Sequence, residues 1–180
     1  MNVTLIGMAG AGKSHAGNLL AKKLGLEFLD VDRHLWEGTY GKPIQEILDE
    51  RGEKSYLDEE ERLIIEHTKG KDGLLISPPG SVIYQPKAMA HLKEISKVVY
   101  LRVPFTTIKA RLKGTPPRAI IGLGKKTLRE LYDERCPLYE GYADITIDTG
   151  GKNPTGVVRE IVKLLFPDWV SWVSGSLASD

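Results

Sequence analysis

Gly7-Met8-Ala9-Gly10-Ala11-Gly12-Lys13-Ser14 fits G-x-x-x-x-G-K-[ST] at every fixed position. Glycines let the backbone bend until successive N–H groups point at one centre, and that centre suits phosphates. Lys13 is then placed to reach the β- and γ-phosphates of a nucleotide, and the Ser14 hydroxyl to ligate Mg²⁺. Gly10, Ala11, Gly12 and His15 complete the expected nucleotide-binding set on this loop. Asp30 and Asp32 form a second constellation. They stand two apart where an apolar run ends, and in an extended segment residues i and i+2 share a side. Neither apolar run at 74–77 or 98–101 ends in an acid, so Asp30 is expected to serve the metal through bound water. Asp32 is then left to orient or deprotonate an acceptor hydroxyl. The alternative is a solvated acidic pair capping the next helix.

Three arginines add positive charge. Arg118 lies in a basic, Gly/Pro-rich stretch over 113–126, long enough to be a functional lid rather than a turn. An arginine delivered to a transferring phosphoryl group is worth on the order of 10³–10⁵ in rate. Its alternative is an ordinary surface arginine. Arg111 sits at a helix end, where a guanidinium stacks on adenine or simply meets solvent. Arg135 continues the apolar face of Leu128, Leu131 and Tyr132. A charge on such a face requires an anionic partner, either an acidic substrate or a structural Asp or Glu.

These residues need a scaffold, and strand and helix patterns alternate along the chain. Residues 2–6, 26–30, 74–77, 98–103 and 144–148 read as strands. Helical stripes run through Ala16, Leu20 and Leu24, then Ile44, Ile47 and Leu48, then Leu57, Leu63 and Ile64. Further stripes include Ala88, Leu92 and Ile95, then Phe105, Ile108 and Leu112, then Leu128 and Leu131, and last Val157, Val158 and Ile161. Alternation of this kind predicts an α/β fold with a parallel sheet. The phosphate loop joins its first strand to its first helix, whose dipole favours an anion.

The chain has 180 residues, 41% hydrophobic and 27% charged, with a net charge of +1. That supports one domain, expected over 1–166 with a tail over 167–180 that carries Trp169 and Trp172. Near-neutral charge gives no general electrostatic case for nucleic acid or a membrane surface. One cysteine, Cys136, excludes an internal disulfide and fits a reducing compartment. No apolar run approaches the ~20 residues of a membrane span. A cytoplasmic monomer acting on a small molecule is expected.

In order along the chain, these residues resemble the shikimate kinase family. The carriers are residues 7–14, Phe28-Leu29-Asp30-Val31-Asp32, Gly52-Glu53, Pro117-Arg118, and Glu134-Arg135-Cys136-Pro137-Leu138-Tyr139. Asn153-Pro154 matches the family's adenine-side loop. The resemblance implies a three-layer P-loop kinase fold of nucleoside-monophosphate-kinase style, with five parallel strands and a lid. It implies ATP and Mg²⁺ as cofactors and phosphoryl transfer to a ring hydroxyl. It also implies that Asp30 lies near the metal, that Asp32 and Gly80 bind acceptor, and that Arg135 grips the acceptor carboxylate. Arg118 becomes the lid arginine, and Arg111, Asn153 and Pro154 flank the nucleotide.

The chain departs from the family on the acceptor side. The family reads Gly-Glu-x-x-Phe-Arg where this chain has Gly52-Glu53-Lys54-Ser55-Tyr56-Leu57, so an arginine is replaced by Leu57. Three family glycines after the third strand read Pro78-Pro79-Gly80. Two prolines remove two N–H donors and fix φ. Arg33, Arg51 or Lys54 are the candidates to replace the missing charge. The expected activity is ATP-dependent phosphorylation of shikimate or a related small hydroxy acid. The alternatives are another polyol or hydroxy acid as acceptor, or nucleotide binding without transfer.

Overall fold

The computed structural model describes residues 1–113 and 119–167. Arg118, Pro117, Trp169 and Trp172 lie outside the described residues. Five strands form one all-parallel sheet in the order β2-β3-β1-β4-β5. They are β1 (Asn2–Ile6), β2 (Glu27–Asp30), β3 (Leu74–Ser77), β4 (Ser96–Arg102) and β5 (Ile145–Asp148). β1, β3 and the centre of β4 are buried throughout. They read as continuous apolar runs because helices cover both faces of a parallel sheet.

The helices are α1 (Lys13–Leu24), α2 (Gly38–Tyr40), α3 (Ile44–Thr68), α4 (Pro86–Ile95), α5 (Phe105–Leu112), α6 (Leu128–Tyr142) and α7 (Pro154–Leu165). Among the described residues no helix is long and apolar enough to cross a membrane. α1 packs close to the sheet because Gly17 has no side chain. A Cβ there would stand 2.6 Å from the Phe28 ring and 3.0 Å from Leu75. α6 starts with a full capping box, Thr127 and Glu130 each satisfying the other's backbone N–H.

The stripes at 44–48 and 57–68 lie on two helical segments of α3, separated by a sharp non-helical turn at Gly52 (φ 74°, ψ 157°). Only glycine takes that φ without strain, so the two segments join there without a loop. One local expectation changes: the stretch after β2 is not extended through Asp32. The strand stops at Asp30, whose carboxylate accepts from the Arg33 N–H at 3.4 Å, and a π-helical turn runs over Val31–Glu37. Asp32 therefore projects from a helical turn, and the shared-side argument for an extended i, i+2 pair does not hold.

Candidate active site

In a parallel open sheet, ligands bind beyond the carboxyl ends of the strands. Here a cleft of about 900 Å³ opens there, lined by the phosphate loop after β1, by Asp30 and Asp32 after β2, and by Pro78, Pro79 and Gly80 after β3. The two acids thus meet the loop, although by a different backbone route from the one expected. Asp30 is buried and Ser77 pairs with it across the β2–β3 ladder.

The loop is folded as a cradle. Gly7, Gly10 and Gly12 have φ of 147°, 79° and 92°, conformations that side chains resist. Lys13 Nζ donates to the Gly7 carbonyl at 2.9 Å and to Met8 at 3.3 Å, so its ammonium lies inside the loop's curve. Ser14 and His15 face the cleft from the first turn of α1. Gly80 presses on the cradle from the other side. A Cβ on it would stand 3.2 Å from the Gly7 carbonyl oxygen and 3.3 Å from the Ala9 nitrogen. Gly80 is fixed in turn by Tyr139, which donates to its carbonyl at 2.6 Å.

The cleft suits a magnesium–nucleotide rather than a bare metal. Among the described residues no group of three or more His, Cys, Asp or Glu side chains is arranged to hold an ion. Mg²⁺ takes one or two protein oxygens and completes its octahedron with phosphates and water. Ser14 and Asp30 supply such oxygens beside the cradle.

On the nucleotide side, Arg111 Nη1 donates to the Gly10 carbonyl at 3.0 Å and to Ala11 at 3.4 Å. Its guanidinium thus braces the loop and lines the cleft. Pro154 opens α7 and also lines the cleft. Asn153 caps that helix through the Gly156 N–H at 2.8 Å and is not part of the lining.

Arg135 is 1% exposed and does not line the cleft. Its Nη2 donates to the Ile121 carbonyl at 2.6 Å, its Nε to Tyr84 Oη at 3.2 Å, and its guanidinium lies 5.1 Å from the Tyr84 ring centre. No carboxylate of the described residues lies within 4.0 Å of it. It stands one helical turn before Tyr139, which holds the Gly80 wall.

Leu57 is half-buried on α3. Of the three candidate replacements for the missing arginine, Arg33 lines the cleft. Arg51 lies over the Tyr40 ring at 4.6 Å, and Lys54 faces a separate surface cleft.

Glu60 is a residue the sequence reading missed. It is fully buried and accepts from Gln85 Nε2 at 2.7 Å and Ser81 Oγ at 3.3 Å. Its Oε2 has no hydrogen-bond partner among the described residues. Burial, then the nearby negative charge of Asp32, pushes its carboxyl up to about 8. The sequence did carry a signal: Tyr56, Glu60, Leu63 and Ile64 follow helical spacing, so an acid interrupts an apolar face.

Comparison with known proteins agrees with this geometry. Residues 9–166 match the family described as shikimate kinase. The shikimate kinase of Persephonella marina is 38% identical over 161 residues, covering 89% of this chain and 96% of that protein. That of Thermodesulfovibrio yellowstonii is 38% identical over 164 residues, covering 90% and 93%. A solved shikimate kinase from Acinetobacter baumannii, in complex with shikimate, superposes with a TM-score of 0.82 at 31% identity, covering 93% of each chain. With its cradle, its five-stranded parallel sheet and matches over most of its length, the chain belongs to the shikimate kinase family of ATP- and Mg²⁺-dependent phosphotransferases.

Proposed function

We propose that this enzyme transfers the γ-phosphoryl group of ATP to a hydroxyl of shikimate or a closely related small hydroxy acid. The observation that carries the reading is one cleft lined by the phosphate cradle, both acids and the Gly80 wall. When bound, Mg²⁺ neutralises charge on the phosphates; Ser14 and Asp30 would hold it. Lys13, already inside the loop, meets the β- and γ-oxygens. Asp32 orients the acceptor hydroxyl and accepts its proton. Arg118 neutralises the transferring group, an assignment that rests on its place in the sequence. His15, Arg111, Asn153 and Pro154 flank the nucleotide.

Arg135 is assigned to the acceptor carboxylate. A guanidinium has five N–H donors, and Tyr84 and Ile121 take two of them. A buried cation with no carboxylate of the described residues against it favours an anionic ligand. The reading also makes the protein a cytoplasmic monomer without nucleic-acid or membrane partners, consistent with its net charge of +1.

Leu57 favours a second reading, in which the acceptor is a different hydroxy acid or polyol. Losing one charge-assisted contact costs about 1.5–3 kcal/mol, enough to redirect specificity. ADP release measured over shikimate, quinate, related hydroxy acids and sugars separates the two. Shikimate is expected to give the highest rate above background ATP hydrolysis. A higher rate with another acceptor would establish the second reading.

A further inference from the structure

Arg135 has no carboxylate of the described residues at contact distance, yet an anion reaches it through one peptide group. Glu53 follows Gly52, where α3 turns, and its side chain crosses to the segment before α6. Glu53 Oε1 accepts from the Gly122 N–H at 2.8 Å, and Oε2 pairs with Lys125. The carbonyl of that same peptide group, on Ile121, accepts from Arg135 Nη2 at 2.6 Å. A single peptide plane is thus bound at its N–H by an anion and at its C=O by a cation. Both bonds polarise it in the same sense, and hydrogen bonds in such a chain strengthen one another.

The sequence at this joint is constrained. Gly122 has φ +82°, and a Cβ there would stand 3.2 Å from Leu131 Cδ2. Ile120 and Ile121, which lead into the bend, are both buried. The ammonium of Lys125, then the Gly122 N–H, hold the Glu53 carboxyl below the usual glutamate range, so it is ionised at neutral pH. Glu53 does not line the main cleft. It faces the smaller surface cleft shared with Arg51, Lys54 and Lys125.

We propose that Glu53 is a positioning residue for the acceptor site: acting through the Ile121–Gly122 peptide, it fixes the Arg135 guanidinium and so sets acceptor affinity without touching the acceptor. The proposal rests on the reading that Arg135 grips the acceptor carboxylate. It also joins three elements, the bend of α3, the segment over 119–126 and α6, into one acceptor-side unit.

The test is titration calorimetry with shikimate and, separately, with ATP. Glu53→Ala is expected to weaken shikimate binding about tenfold, the size of a lost charge-assisted hydrogen bond, and to leave ATP binding within about twofold. Glu53→Gln keeps an oxygen for the Gly122 N–H but loses the charge, and is expected to weaken shikimate about threefold. In an Arg135→Ala background, Glu53→Ala should add nothing.

Unchanged shikimate binding in Glu53→Ala, with binding lost in Arg135→Ala, overturns the proposal and leaves the Arg135 reading standing. An additive loss in the double variant overturns it too, since Glu53 would then act by another route. Unchanged binding in Arg135→Ala removes the Arg135 reading, and the proposal with it. If Glu53→Ala does not fold, the same cycle is run with Glu53→Gln.

Discussion

Residue identity decides most where the acceptor is proposed to bind. Leu57 and Glu60 are three apart on α3 and therefore neighbours on its surface. Leu57 stands where the family resemblance implies an arginine, and Glu60 is a buried acid whose Oε2 has no hydrogen-bond partner among the described residues. Leu57→Arg restores a guanidinium one helical turn from that acid. It should raise kcat/KM for shikimate by about tenfold, the worth of one charge-assisted contact, in steady-state kinetics. No gain in a folded variant would make Pro78-Pro79 the dominant change.

Glu60 also makes a pH prediction. Its carboxyl rises from the ordinary glutamate value of about 4.5 to about 8 in the folded protein. Between those values the folded state holds a proton that the unfolded state has released. Its contribution is therefore full below about pH 4.5 and is lost as pH rises towards 8. Denaturant titrations should show this decline, and Glu60→Gln should flatten it. The two carboxylates of the D-x-D pattern show what was legible at this scale. Their residue types announced a site, but the turn at Asp30 that aims them did not show in their spacing.

At the scale of elements, glycine positions carry the geometry. Gly80 touches both the phosphate cradle and Tyr139. Gly80→Ala should overpack that contact, costing about 1–3 kcal/mol in stability. ATP affinity should fall as well, because the added methyl meets the Gly7 and Ala9 backbone. Thermal melts and ATP titrations read the two effects, and an unperturbed ATP affinity would show that the loop yields freely. β3 was legible to the residue, because Gly73 precedes it and Pro78 ends it. β1 was legible to the residue as well, and β2, β4 and β5 to within one or two residues; β4 begins at Ser96 and Lys97, ahead of its apolar run. The two segments of α3 were legible as separate stripes, but sequence spacing alone does not say that Gly52 joins them without a loop. The peptide joining Glu53 to Arg135 was invisible for a different reason: it depends on a backbone orientation between residues 69 positions apart.

For the whole molecule, the parallel order β2-β3-β1-β4-β5 brings the ends of β1, β2 and β3 to one side. That arrangement turns a loop, two acids and a glycine from distant parts of the chain into one cleft. Alternating strands and helices announced the architecture. The strand order needed the three-dimensional fold, because periodicity does not encode which strands are neighbours. The central claim is transfer to a hydroxy acid, and mass spectrometry tests it most directly. Shikimate incubated with enzyme, ATP and Mg²⁺ should gain one phosphoryl group, in proportion to ADP formed, and Lys13→Ala should abolish that gain. ADP formed at the same rate with and without shikimate, and no phosphorylated shikimate, would contradict it.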